Sequence, residues 1–575
     1  MRRKLAAILG AGFLLRVAYV LLQPRFDPTF ARPILDGAVY TAWAHRLASG
    51  ESTAGVYYMP PLYPWMLSVV FRVCGEAWSV LFVAQHLAVV AAAGLLALVA
   101  RKVAGDGAGL AAAALALLYH PALFFASRPL GEAVALLFLC SGLAAASWES
   151  EFHGLSAGLA VGVASLARPN FLPLAPLWAA RDLARKSVRR ATLVVAGTLA
   201  VLAPTFWHNF TSSGHLVPVS ANGGVVFWLG NAPGAVGVYT PVTGFSGSLA
   251  TQQDEAIAEA GARSGRTLDA VETDGFWWRE GVRARTADPA GTIVLAARRF
   301  LLTVDNAEHG LDYAPALDAN PLRFAAPVPF AMLLGLAVFG VGASGFARTG
   351  GFPVWSAILV TAATPLVFYV SSRHRLPLGF LLAVPAGAGV AALGSARRYL
   401  PAAAGATAMA LSLAVPSGNG MRAEKASALA VVADAQLKSG AVEAAADTAR
   451  RATELDGSNP IAWFNRGAIE AARGDRAAAE HAYRAALAAD PEQPDAAANL
   501  AGILVKTGRA VEAPPALERA LAAWPRHAAG WTNLVVAYVA GGDVASAKDA
   551  VRRAAGHGVT LDPELVRTVE GWERR

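Results

Sequence analysis

Two neighbouring stretches, "MRRKLAAILGAGFLLRVAYVLL" (residues 1–22) and "PILDGAVYTAW" (33–43), decide how the chain is read. The first is apolar, of membrane-spanning length, and opens with Arg2, Arg3 and Lys4. No small-residue cleavage site follows it, so it reads as an uncleaved anchor. The second places an acid, Asp36, just beyond that anchor. Asp is a favoured helix N-cap, and "GAVYTAWAHRLA" reads as a helix whose Val39, Tyr40, Trp43 and Leu47 share one face. A helix of that pattern suits the membrane interface. "MPPLYPWM" (59–66) then breaks the chain with prolines and supplies interfacial aromatics.

Working outward, the 575 residues are 55% hydrophobic and 16% charged, with mean hydropathy +0.42. Those values fit a polytopic membrane protein better than a soluble globule. Apolar runs read as spans near 5–22, 78–100, 108–125, 130–148, 154–167, 170–180, 191–208, 326–344, 353–370, 376–394 and 400–416, about eleven in all. The net charge of +8 comes mostly from Lys and Arg between these runs, including Arg101, Lys102, "RDLARKSVRR" (181–190), Arg397 and Arg398. From a cytoplasmic N-terminus, all the basic clusters fall on the inner side. The expected topology is therefore multi-pass in the inner (plasma) membrane. Loops 23–77 and 209–325 lie outside, and the odd span count puts the C-terminus outside too. No basic stripe with interleaved aromatics appears, so nucleic acid is not an expected partner. Cys74 and Cys140 form neither a disulfide framework nor a metal cluster.

From residue 424 the composition changes to charged, alanine-rich helices. Gly440, Gly474, Gly508 and Gly542 recur every 34 residues, in register with Ala445, Ala479, Ala513 and Ala547. With Trp463, Gly467, Tyr483, Ala486 and Pro491, the pattern resembles the tetratricopeptide repeat. Four repeats imply an α-solenoid with a concave face that binds a protein partner or acceptor. Pro514 and Pro515 should kink the second helix of the third repeat. The expected fold is all-α: a membrane domain over 1–416, a linker over 417–423 and a repeat domain over 424–575.

No P-loop, dinucleotide fingerprint, HExxH or GxSxG occurs. The candidates for chemistry are ionisable groups near the outer face: Asp36, Arg128, Glu132, Arg168, Arg373, His374 and Arg375. Charges beside spans are costly and tend to be functional. Two guanidinium groups in "SSRHRLPLGFLLAVPA" (371–386) suit an anionic headgroup. Tyr40, at i+4 from Asp36, can line the same site.

Four stretches, taken in order, resemble the bacterial GT-C glycosyltransferases: "ILDGAVYTAWAHRLASG…MPPLYPWML", "LARPNFLPLAP", "SSGHLVPVSANGGVVFWLGNAPGAVGVY" and "SSRHRLPLGFLLAVPA". That superfamily includes the protein O-mannosyltransferases (family 39) and the transferase that adds aminoarabinose to lipid A. The resemblance covers about residues 1–400. It implies transfer of a sugar from a polyprenyl-phosphate carrier in the membrane to a glycan, lipid or protein acceptor on the outer face, with inversion. It places the family's first-loop acid on Asp36, a supporting acid on Glu132 and the Arg-x-Arg on Arg373 and Arg375. Tyr40, Tyr58, Arg168 and His374 are further candidates for binding substrate. Met59 stands where some relatives carry a basic residue. The chemistry needs a base for the acceptor hydroxyl and positive charge for the departing phosphate, with no cofactor or metal. His208, His215 and His309 show no ligand spacing. Phe227 and Trp228 can stack on sugars or merely pack a loop, and Glu308 and His309 are placed near the cavity. Two other readings are an O-antigen ligase or polymerase and a catalytically inactive membrane-anchored repeat scaffold for envelope assembly.

Overall fold

The computed structural model describes every residue except 241, 243, 246–248, 312, 344–345, 347–350, 394–398, 416–417 and 572–575. Arg397 and Arg398 therefore lie outside the described residues. The chain divides into two compact units, Met1–Ser417 and Gly418–Arg575. Among the described residues both are helical, with two isolated bridges in place of any sheet.

Among the described residues, four helices of the first unit are long and apolar enough to cross a membrane: Arg2–Arg25, Trp78–Leu117, Val188–Ser213 and Ser372–Ala392. Shorter apolar helices include Glu132–Ala146, Phe330–Ala343, Gly351–Val367 and Leu400–Ala414. The protein is thus a multi-pass membrane protein by composition and helix length. Two expected spans, 78–100 and 108–125, form one run broken by non-helical backbone at Ala104 and Gly105, where Gly105 takes φ +86°. A short proline-started helix, His120–Phe124, follows. The expected span at 170–180 is the eleven-residue helix Leu174–Ala184. At 1.5 Å per residue it rises only about 16 Å, half the hydrocarbon thickness. Leu62–Cys74, expected within a loop, is helical behind Pro60 and Pro61.

The centre of this unit is Ser372–Ala392, 89% of whose apolar window is buried, against 17% for the N-terminal helix. Small residues make that burial possible. A Cβ on Gly340 would meet Pro385 O at 2.0 Å, and one on Gly387 would meet Ala108 O at 2.4 Å. Close backbone approach of this kind holds helices together where lipid competes for apolar surface. The basic stretch 181–190 is partly internal. Arg181 and Arg190 share Asp182, and all three are nearly buried, so only part of that cluster can face a membrane surface.

In the second unit, residues 418–423, expected as a linker, instead open the helix Gly418–Lys438. Four helix pairs follow the 34-residue period: Gly418–Lys438 with Val442–Leu455, Pro460–Arg473 with Arg476–Ala489, Pro494–Lys506 with Pro514–Ala523, and Ala528–Ala540 with Val544–Gly556. Each periodic glycine sits between the helices of a pair with φ from +76° to +84°. Each periodic alanine is at most 1% exposed, inside the helix packing. Asn465 and Asn533, also in register, donate to Ala430 O and Ala498 O one repeat back. The prolines of the third repeat do not merely kink its second helix. They shorten it to Pro514–Ala523, behind the 3-10 turn Ala510–Glu512.

The left-handed turns make a prediction. Gly474→Ala should destabilise a soluble fragment 418–575 by about 1–2 kcal/mol, the cost of a Cβ in that backbone region. A urea midpoint unchanged from wild type would show that the turn tolerates a side chain.

Candidate active site

Four helix ends meet at one cavity. Asp36 lies in the first turn of Leu35–Ala48, Glu132 opens Glu132–Ala146, Arg168 follows Glu151–Ala167, and Arg373 lies in the first turn of Ser372–Ala392. The local sequence explains each placement. Ser371 caps the last of these helices by accepting from His374 N at 3.2 Å. Gly37 lets the Asp36 helix press on its neighbours, since a Cβ there would lie 2.8 Å from Pro129 and from the Tyr313 hydroxyl. That hydroxyl accepts a bond from Ile34 N.

Asp36 is not the N-cap. Ile34 holds that position and makes no side-chain cap bond, while Leu35 carries φ +46°, a region unfavourable for a bulky side chain. Asp36 instead turns its carboxylate to Arg373, whose Nη1 donates to Asp36 Oδ2. The same guanidinium donates through Nε to Glu132 Oε1, which also accepts from Arg168 Nη2. Two acids and two arginines from four separate segments thus form one continuous ion-paired chain. Side-chain exposure falls from 20% at Asp36 to 2% at Glu132, so Asp36 is its solvent-facing end.

The cavity beside this chain has a volume of about 250 Å³. Asp36, Tyr40, Arg168, Arg373 and His374 line it, together with Asn170, Asn222, Tyr239, Gln252 and Tyr369. Met59 and Pro60 complete one wall. Tyr40 packs edge-on against Tyr63. His374 Nδ1 lies 3.1 Å from Tyr369 O. Asn170 and Asn222 stand in stretches whose order carries the family resemblance. Tyr239 closes the third of those stretches, while Gln252 lies further along the long polar loop, where nothing in the sequence marks it.

Several expected site residues lie elsewhere. Arg375 does not line the cavity. Its side chain is fully buried and donates to Asp305 O and Oδ1 at 2.7 and 3.0 Å and to Ala307 O. It also pairs with Glu308 at 3.2 Å and lies over the Phe330 ring. Glu308 and His309 belong to this second cluster, with His309 Nε2 2.9 Å from Asp305 Oδ2. Its link to the first is through backbone: Ser372 N donates to His309 O at 2.8 Å. Arg128 pairs with Asp27 and lies over Phe124 and Tyr313. Tyr58 lines an adjoining cavity of about 470 Å³ that shares Met59 and Leu249 with the first. Its hydroxyl reaches back to Gln252 at 2.9 Å, and burial raises its pKa.

The aromatics of the polar loop serve packing. Phe227 stacks on Trp278, and Trp228 packs on Trp277. Beside them Asp274 accepts from Gly224 N at 2.6 Å, yet burial still raises its carboxyl to about 6. This contact ties the Gly223–Asn231 helix, whose first residue lines the cavity, to the helix Ala270–Ala287. The three histidines part ways: His208 goes to Gly55 O, His215 to Asp269 and His309 to Asp305.

Fold and site define a class: a helical multi-pass membrane protein with an ion-paired cavity where helix ends meet, in a chain that also carries a helical-repeat unit. Comparison with known proteins narrows the class. Over 209 residues the chain is 32% identical to the lipopolysaccharide core galacturonosyltransferase RgtB of Rhizobium johnstonii. The match takes in 34% of this chain and 41% of that protein, so the chain spans about two fifths of the curated relative's length. No protein-family profile matches. Among solved structures, the oligosaccharyltransferase AglB of Archaeoglobus fulgidus aligns at 15% identity and TM-score 0.40, over 74% of this chain and 58% of its own. MamA of Desulfovibrio magneticus aligns at 21% identity and TM-score 0.23, over 26% and 86%. Both scores are too low to bear on fold or activity. The relative and the quoted stretches agree in kind: the chain is similar to GT-C-type membrane glycosyltransferases.

Proposed function

We propose that the protein is an integral-membrane glycosyltransferase that moves a sugar from a polyprenyl-phosphate carrier to an acceptor hydroxyl on the extracytoplasmic face. The observation that carries this reading is the Arg373 guanidinium joining Asp36 and Glu132 at the cavity wall. It sets a solvent-facing carboxylate beside a cation, the pair that base-assisted displacement of a phosphate requires.

In this reading Asp36 takes the proton of the acceptor O–H. The acceptor oxygen forms a bond to the anomeric carbon while the bond from that carbon to the phosphate oxygen breaks. The electron pair leaves on the polyprenyl phosphate, and the single displacement inverts the centre. Arg373 and Arg168 stabilise the charge that develops on the phosphate. Glu132, holding both arginines through one oxygen, positions them and does not touch substrate. Tyr40, His374, Asn170 and Gln252 offer ring faces and polar groups to the sugar. The step uses no metal and no cofactor. The repeats supply no chemistry and bind an acceptor or partner protein through their concave face, so residues 1–417 alone should still bind the lipid donor.

The direct test is at Arg373. Arg373→Gln should abolish transfer and weaken lipid-phosphate binding by about tenfold or more, the usual value of a charge-assisted bond to a charged group. Arg373→Lys should recover only part, because a point charge cannot hold a carboxylate and a phosphate as the fork does. Binding of a synthetic polyprenyl-phosphate sugar to purified protein measures both. Wild-type affinity in the Gln variant would remove the phosphate from this site.

A further inference from the structure

Arg373 is asked to do two things at once, and the geometry shows the conflict. In the structure its Nη1 is taken by Asp36 and its Nε by Glu132. A phosphate bound bidentately needs two N–H groups from one edge of the same fork. Glu132 is almost fully buried and also holds Arg168. Asp36 is the exposed partner, on the cavity side. An anion entering the cavity therefore displaces Asp36 far more readily than Glu132.

We propose that carrier phosphate and Asp36 compete for the Arg373 guanidinium, so that donor binding itself releases the base. This rests on reading the cavity as a lipid-phosphate site. With no donor bound, Asp36 is ion-paired and unavailable to a hydroxyl or to water. With the donor seated, Nη1 turns to the phosphate and the carboxylate is freed beside the anomeric carbon. Proton transfer then completes the exchange. As Asp36 takes the acceptor's proton it loses its charge, and Arg373 loses its competing partner. This happens while the phosphate passes from a monoanion in the donor to a dianion in the leaving carrier. The hold on the phosphate is thus strongest where charge has moved furthest, which is stabilisation specific to the transition state. Binding follows as an ordered sequence, donor before acceptor.

The test reads binding alone. In Asp36→Asn the competing charge is gone and the side-chain shape stays, so the variant stands in for the protonated state. Its affinity for undecaprenyl phosphate should rise by about 10²–10³-fold, the scale expected for removing one like charge about 4–6 Å from the phosphate under an effective dielectric near 20. Asp36→Glu keeps the charge and should bind near the wild-type level. Arg373→Gln should bind weakly, and adding Asp36→Asn to it should restore nothing. All are measured on the purified full chain in nanodiscs, with inorganic phosphate and farnesyl phosphate as further probes. Unchanged or weaker binding by Asp36→Asn overturns the exchange while leaving the transferase reading intact. The same gain for inorganic phosphate with none for the lipid phosphates overturns the carrier as occupant. Failure of the wild-type chain to bind any lipid phosphate removes the transferase reading itself, and the exchange with it.

Discussion

Asp36→Asn is expected to lower transfer by about 10²–10⁴, the value of a positioned general base, while the protein remains folded. Retention of the fold follows from the geometry. Asp36 makes no cap bond to its helix, and its carboxylate is spent on Arg373. Asn keeps the shape and a hydrogen-bond acceptor but cannot take a proton from a hydroxyl. Asp36→Ala should lose the same turnover, and no loss of helix stability from a missing cap is expected. Initial rates with purified enzyme and a synthetic lipid donor measure the effect, and detergent melting curves check the fold. Transfer by Asp36→Asn at the wild-type rate would show that the acid is only an ion-pair partner and would remove the base from the proposed mechanism.

The second large effect is on stability. Arg375→Ala should destabilise the membrane unit by about 3–5 kcal/mol, the cost of leaving buried carboxylates without their cation. Asp305 is 1% exposed and Glu308 17%, and both look to this guanidinium. Its guanidinium is buried away from the cavity, so its loss acts through packing. Asp305 and Ala307 belong to a segment whose Asn306 accepts from Ala331 N and donates its own N–H to Ser412 O. Residue 309 in turn receives the backbone N–H of Ser372, next to Arg373. Arg375 therefore holds the segment that meets the backbone beside Arg373. Arg375→Lys should keep part of the stability, and at a temperature where it remains folded it should bind lipid phosphate as wild type does. A weakened phosphate affinity in a folded Arg375→Lys chain would place the residue at the ligand after all.

These two residues show where sequence reading reaches its limit. Arg373 and Arg375 look like one phosphate clamp when "SSRHRLP" is read as a span end. The helix begins at Ser372, and residues two apart on a helix point about 200° apart. One arginine therefore faces the cavity and the other the protein interior. The capping of Asp36 went the same way. Its residue type fits a cap, but Leu35 takes a left-handed backbone and moves the start of the helix back. Tyr239 and Gln252 reach the cavity from a loop with no periodicity to reveal its path.

What the sequence determines by itself is whatever depends on local periodicity or local chemistry. Runs of apolar residues announce helices in lipid because every backbone group must be satisfied within its own segment. Glycines spaced by 34 announce the repeat because only a residue without a Cβ takes φ near +80° cheaply between two helices. Asp36, Glu132, Arg168 and Arg373 stand out one by one because charges beside spans are costly. Their union into one ion-paired chain, with Asp36 at its exposed end, is decided only by tertiary structure. The four residues lie up to 337 positions apart, and which carboxylate meets which guanidinium depends on how four helix ends are brought together by packing elsewhere.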